Sequence, residues 1–400
     1  MRSMSPLAVI AATATTACGP GLAALRQALQ DQRTGLRQND FGDQPLVTHI
    51  GRVDGLEEAA LPADWSQWDC RNNRLAWLAL QQDTVLQAVQ QAIERFGAAR
   101  VALVIGTSTS SIGASEEAYR RLQADGQFPS DLQRPIVHTP HSLGDFLRHA
   151  TAIRGPAVTV ATACSSSAKV FAQAARMIEA GLVDAALVGG VDTLCGSVLF
   201  GFNSLGLVSQ QPCRPFDRQR DGLSLGEAGG FALLQRTEPD EHAGPWLLGY
   251  GESSDAHHMS SPHPEGLGAR LSMQAALDRA GLPAELLDYL NLHGTATPKN
   301  DEIEAAAVAA LFPARLRASS TKGFTGHTLG AAGIVESIIA LSALETGLMP
   351  ATLNCIQPDP TCSQQLLLAN QSGSVRYAMN NSFGFGGNNC SLLFGAGATP

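Results

Sequence analysis

Short apolar runs that alternate with longer stretches of helical period restrict this chain more than any other feature. Ala8–Ala12, Val101–Ile105, Ala157–Ala161, Ala185–Val188, Phe231–Leu234, Trp246–Tyr250, Tyr289–His293 and Leu392–Phe394 read as strands. Thr84–Phe96, Ser167–Ala180, Leu271–Ala280 and Ile334–Thr346 read as amphipathic helices between them, with Gly181 and Gly347 placed to end two of these. Strands separated by helices imply an α/β fold. The order also repeats weakly. Val158–Thr162 leads to Cys164 and a helix ending at Gly181, while Arg317–Thr321 leads through Lys322 and His327 to a helix ending at Gly347. Phe231–Gln235 and Ser391–Gly395 would close two halves, 1–243 and 244–400, joined by the polar stretch Thr237–Gly244. Such halves place functional residues where strands end and helices begin.

Composition narrows the function. The chain has 400 residues, 44% hydrophobic and only 16% charged, which excludes a disordered polypeptide. Lys+Arg 27 against Asp+Glu 36 gives a formal charge of −9, so nucleic acid is not the expected partner. The eight cysteines form no C-x-x-C pair, which argues against a zinc site or a disulfide framework and for reduced thiols in the cytoplasm. No uninterrupted apolar run approaches the ~20 residues of a membrane span. Leu7–Cys18 superficially resembles an export leader, but it is short, Thr-rich and runs into Gly19-Pro20-Gly21, so a buried first strand is expected. No metal set is visible.

Four places carry chemistry. Cys164, in Ala161-Thr-Ala-Cys-Ser-Ser-Ser-Ala168, sits between a strand and a helix start. The helix dipole there is expected to lower the thiol pKa, and the three serines to supply capping groups. His293 ends an apolar run in Leu290-Asn-Leu-His-Gly-Thr-Ala-Thr-Pro298, where Thr295 and Thr297 offer hydroxyls. Lys322 and His327 share Lys322-Gly-Phe-Thr-Gly-His-Thr-Leu-Gly-Ala-Ala-Gly333, read as a second helix start. Asn381-Ser-Phe-Gly-Phe-Gly-Gly-Asn-Asn389 alternates glycine with Phe383 and Phe385, which lets backbone N–H groups face a ligand.

Together with Arg214-Pro-Phe-Asp-Arg-Gln-Arg-Asp-Gly222 and Gly226-Glu-Ala-Gly-Gly230, these blocks resemble the elongating β-ketoacyl-acyl carrier protein synthases of the thiolase-like superfamily, over essentially the whole chain. The resemblance implies a duplicated, five-layered α-β-α-β-α fold. It also implies a dimer, either of identical chains or with a ketosynthase-like chain-length partner. The implied reaction is a decarboxylative Claisen condensation that extends an acyl chain by two carbons. Its substrates would ride on the phosphopantetheine arm of acyl carrier protein, with no tightly bound cofactor. By the same resemblance Cys164 is the nucleophile, and the N–H groups of Cys164 and Phe385 form the oxyanion hole. His293 and His327 donate to the malonyl thioester carbonyl. Lys322 organises the charge with Glu304 as its salt-bridge partner, and Glu336 is a structural carboxylate. Thr295, Thr297, Phe383 and Phe385 contact substrate, and Phe385 doubles as a gate.

Neighbouring families fit less well. Thiolases use a further cysteine in a Cys-x-Gly setting, whereas Cys390 is followed by Ser391-Leu392. Initiating synthases carry Asn where His327 stands, and non-catalytic chain-length partners lack the nucleophile. The segment Leu207–Arg214 is shorter than in housekeeping enzymes, whose longer loop docks the carrier. Arg71 and Arg74 are therefore the substitute candidates for that contact. The short loop and Phe200–Val208 look more like ketosynthases of specialised type II pathways, such as aryl polyene assembly. In this fold Thr107–Ser111 is expected to line the dimer-side end of the acyl pocket.

Overall fold

A computed structural model of the protein describes residues 3–43, 45–362 and 365–398. Ten strands form one sheet: β1 (Leu7–Thr15), β2 (Val101–Gly106), β3 (Ala157–Val160), β4 (Ala185–Asp192), β5 (Ala228–Gln235), β6 (Trp246–Ser254), β7 (Tyr289–Asn291), β8 (Arg317–Ser319), β9 (Tyr377–Gly384) and β10 (Asn388–Gly395). Their spatial order is β8-β7-β9-β10-β6-β1-β5-β4-β2-β3. In one arm β2 runs parallel to β3 and β4, while β4–β5 and β5–β1 are antiparallel. In the other, β7 runs parallel to β8 and β9, while β9–β10 and β10–β6 are antiparallel. The topology is thus duplicated strand for strand. The arms meet at a short seam, where Leu7 and Ala8 pair with Leu247 and Trp246.

Helices cover both arms. The helices α1 (Arg71–Leu80), α2 (Val85–Phe96) and α3 (Ser142–Thr151) pack on the outer face of the first arm. Two helices, α4 (Ser166–Glu179) and α7 (Ala332–Thr346), lie between the arms. The outer face of the second arm carries α5 (Leu267–Ala280) and α6 (Pro298–Leu311). The result is five layers, as a thiolase-like fold requires. Helix α7 is enclosed on every side, and every residue from Ala332 to Ala343 is buried. It is mostly apolar for that reason, and its buried Glu336 and Ser337 are partnered by Lys322 and Asn380. Leu329–Thr346 is the one described segment long and apolar enough to cross a membrane, and it forms this inner layer. Gly333 lets α7 approach α4, because a Cβ at that position would meet the Ala168 backbone nitrogen at 2.4 Å.

The expected strands are all present, although the Tyr289–His293 run ends as a strand at Asn291. Strand β9 was not foreseen. Its Asn380, Asn381 and Ser382 are polar yet fully buried, which hides it from a pattern search. The expected first strand is β1, and it is buried over most of its length. At the opposite end of the sheet β3 is an edge strand, with Ala157 exposed and Val158 to Val160 half-buried.

Candidate active site

Cys164 is placed by a strained turn. Ala163 takes a left-handed φ of 52°, which swings the chain from β3 into α4. Side chains pin the turn: the Thr162 N–H donates to Ser166 Oγ at 2.9 Å, and Ser165 Oγ donates to the Thr162 carbonyl at 2.9 Å. Ser167 Oγ accepts the Ile334 N–H of α7 at 2.8 Å and so joins the two halves. The serines therefore fasten the turn and the halves rather than capping α4, whose N-cap makes no side-chain hydrogen bond.

The two histidines come from the other half. His293 lies just beyond β7, and both Glu304 oxygens hold its loop, accepting the His293 N–H at 2.8 Å and the Gly294 N–H at 2.7 Å. His327 does not begin α7 itself: a short 3-10 turn, Leu329–Ala331, follows it and runs into α7 at Ala332. A backbone bridge positions it instead: its N–H donates to Ser224 O at 2.7 Å and its carbonyl accepts the Gly226 N–H at 2.9 Å. His327 Nε2 reaches Cys164 Sγ at 3.0 Å. The imidazole rings of His293 and His327 lie 5.5 Å apart at an interplanar angle of 86°.

Lys322 pairs with Glu336 on α7, not with Glu304, which faces backbone N–H groups and Asn381 Nδ2. Its ammonium also donates to the His293 carbonyl and lies 3.4 Å from His293 Nδ1. With an ammonium at Nδ1, the proton of a neutral His293 belongs on Nε2. Burial, with Lys322 adding to it, holds both imidazoles well below the usual histidine range, so they are neutral. Burial raises the carboxyl of Glu304 to about 7 and pushes that of Glu336 upward against the pull of Lys322.

The thiol departs from expectation. Burial pushes Cys164 up to about 11, although Lys322 and the Phe385 N–H both pull it down. The helix terminus is outweighed because the sulfur is enclosed on all sides, at 5% exposure. The Phe385 N–H that faces the sulfur comes from a tight turn, Phe385–Gly387, between β9 and β10. The Gly-rich segment is therefore a hairpin, with Gly386 and Gly387 at φ 76° and 71°.

A cavity of about 330 Å³ unites these groups. It is lined by Cys164, His293, His327, Phe383, Phe385, Thr295 and Thr297, and by Pro298, Lys299 and Asn300, of which Pro298 and Lys299 are exposed. The Thr295 and Thr297 hydroxyls are 2.8 Å apart. Phe385 stacks on Phe202 at 5.4 Å, and Phe383 lies 5.9 Å from the His293 ring. Cys390 lies inside β10 in the central core and does not line this cavity.

Other expected contacts fall elsewhere. Arg71 is held by Glu227 at 2.7 Å and by Glu57 at the far side of its guanidinium, and Arg74 by Asp69 at 2.6 Å. Neither cation is spare for a partner. Thr107, Ser108 and Thr109 wrap the carboxylate of Asp192. Asp192 was not singled out from the sequence. It accepts the Gly330 N–H at 2.7 Å as well, and so ties the end of β4 to the turn that follows His327. The available signal was an acidic residue closing a strand whose every residue is buried.

The chain matches two family models in tandem, described as Beta-ketoacyl synthase, N-terminal domain, over residues 4–240, and Beta-ketoacyl synthase, C-terminal domain, over residues 246–356. It belongs to the β-ketoacyl synthase family. The synthase is similar to the mitochondrial 3-oxoacyl-[acyl-carrier-protein] synthase of Arabidopsis thaliana, at 40% identity over 260 residues, covering 60% of this chain and 56% of that protein. It is 34% identical to 3-oxoacyl-[acyl-carrier-protein] synthase 2 of Vibrio cholerae over 332 residues, 77% of this chain and 80% of the relative. Among solved structures it resembles a ketosynthase (ApeO) in complex with its chain length factor (ApeC) from Xenorhabdus doucetiae. That likeness has a TM-score of 0.87 and 36% identity, and it covers 98% of both chains. The synthase is thus an acyltransferase that makes β-ketoacyl thioesters on acyl carrier protein.

Proposed function

We propose that Cys164 is the nucleophile of a two-stage condensation, and that the chain works in a specialised type II pathway beside a ketosynthase-like chain-length partner. The contact between Cys164 Sγ and His327 Nε2, 3.0 Å across the two halves and inside one cavity, carries the first part. In the first stage the sulfur attacks the thioester carbonyl of an acyl-carrier. The C–S bond to pantetheine breaks, and the cysteine proton ends on the departing pantetheine sulfur. The N–H groups of Cys164 and Phe385 hold the tetrahedral oxyanion; donors fixed in this way are worth about 3–4 kcal/mol each.

In the second stage malonyl-carrier occupies the same cavity. Neutral His293 and His327 each donate an N–H to its thioester carbonyl, which stabilises the enolate left when the bond to the carboxylate breaks and carbon dioxide departs. The enolate carbon attacks the acyl-enzyme, a carbon–carbon bond forms, and the Cys164 sulfur leaves and is reprotonated from solvent. Lys322 has its donors directed at Glu336, the His293 carbonyl and His293 Nδ1. It acts as an organiser that fixes the donor tautomer of His293, not as a base. Thr295 and Thr297 contact the arm of the carrier.

The pathway reading rests on the short Leu207–Arg214 segment and on the likeness to ApeO, which was solved with its chain length factor. The edge strand β3 offers unpaired backbone groups on which such a partner could extend the sheet. Saturated and polyenoyl carrier substrates offered in competition test the pathway. Preferential two-carbon extension of the polyenoyl chain is expected, and a strict preference for the saturated chain would overturn it.

A further inference from the structure

The chain has three lysines, and two are committed internally. Lys169 lies 3.9 Å from Glu252, and Lys322 is paired with Glu336. Lys299 is exposed, makes no ion pair among the described residues, and lines the active-site cavity beside Pro298 and Asn300. It sits in the first turn of α6, where the helix dipole already presents positive charge, so the fold gains nothing locally from a cation there.

Neighbouring cations reinforce the point. The Phe216 N–H donates to Asp301 at 2.8 Å, and Arg220 Nη2 donates to the Pro298 carbonyl at 3.2 Å, which packs the 214–220 segment against this turn. The same segment carries Arg218, which is exposed and also makes no ion pair among the described residues. The net-acidic protein therefore keeps an exposed ammonium without an ion pair among the described residues on the lining of the cavity that reaches Cys164.

A thioester that reaches Cys164 from outside must thread this cavity on a long arm. The phosphopantetheine arm ends, on the carrier side, in a phosphodiester. We propose that Lys299 binds that phosphodiester at the mouth, and so sets the depth to which the arm is drawn in. This assignment rests on the reading of carrier-borne acyl transfer to Cys164. An ammonium that meets a phosphate at a partly desolvated rim forms a charge-assisted contact, stronger than a neutral hydrogen bond and sensitive to salt.

Three acyl thioesters test it on wild-type protein, Lys299→Met and Lys299→Arg: one on pantetheine, which lacks the phosphate, one on phosphopantetheine, and one on acyl carrier protein. For Lys299→Met the KM of the phosphopantetheine and carrier thioesters should rise about three- to tenfold. The kcat and the KM of the pantetheine thioester should stay unchanged. Lys299→Arg should restore most of the loss, and the difference should shrink as ionic strength rises. An equal effect on all three thioesters, or no effect on any, would overturn the assignment. A loss confined to the carrier thioester would also overturn it, because Lys299 would then meet the surface of the carrier and not its arm. Wild-type protein that forms no adduct with any of the three would instead defeat the underlying reading of the reaction.

Discussion

Replacing Asp192 with Asn changes almost no volume but removes one acceptor from a buried carboxylate that five groups address. Its Oδ2 accepts the Ser108 N–H at 2.8 Å and the Gly330 N–H at 2.7 Å. Its Oδ1 accepts the Thr109 N–H at 2.9 Å and the hydroxyls of Thr107 and Thr109, both at 2.6 Å. The hydroxyls can rotate and find other partners, but the backbone N–H groups cannot. An amide turned so that its oxygen replaces Oδ1 leaves the Gly330 N–H facing an NH2, while the Ser108 N–H keeps its second acceptor at 3.1 Å. At about 1–3 kcal/mol for a buried donor left unsatisfied, Asp192→Asn should cost about 1–3 kcal/mol. Urea unfolding of the two proteins, with the slope unchanged, would report the difference as a shift in midpoint. Gly330 follows His327 in the chain, so the variant should also lose condensation rate even where it remains folded. A loss below about 1 kcal/mol would refute the reasoning, because the Gly330 N–H, which alone of the five crosses between the halves, would then not depend on the carboxylate.

Two further outcomes follow from the site. His327→Asn should still allow acylation of Cys164 but slow malonyl decarboxylation about 10²–10³-fold, the scale of one lost oxyanion donor. A block of acylation alone would reverse the assigned roles. Alkylation of Cys164 by iodoacetamide should go on accelerating with pH toward about 11, because burial disfavours the thiolate and the reactive form gains as pH rises. A plateau at or below neutral pH would show that the helix terminus, and not burial, controls the sulfur.

Residues whose chemistry is carried by their immediate neighbours were legible in the sequence. Cys164, His293, Lys322 and His327 each stand in a short block of small and polar residues, and the structure brings all four together around one cavity or its wall. The duplicated topology was legible too, because strand–site–helix recurs in the same order in both arms.

Properties set by distant packing were not legible. Glu304 and Glu336 both lie on helices, and only the packing of α7 decides which of them faces Lys322. Arg71 and Arg74 look like free helix-end cations until Glu227 and Asp69, brought in by the fold, neutralise them. Strand β9 escaped notice because Asn380 is satisfied by the Gly333 carbonyl and Ser337 Oγ, partners that exist only once α7 is in place. The thiol of Cys164 shows the same limit. A local rule about helix ends predicts a lowered pKa, and enclosure by both halves reverses it.

Mass spectrometry of peptides after incubation with acyl carrier protein bearing an acyl thioester tests the central claim most directly. The account predicts a single acyl adduct on the peptide that contains Cys164, absent from Cys164→Ala protein of unchanged fold. An adduct on any other cysteine, or one that persists in Cys164→Ala, would contradict it.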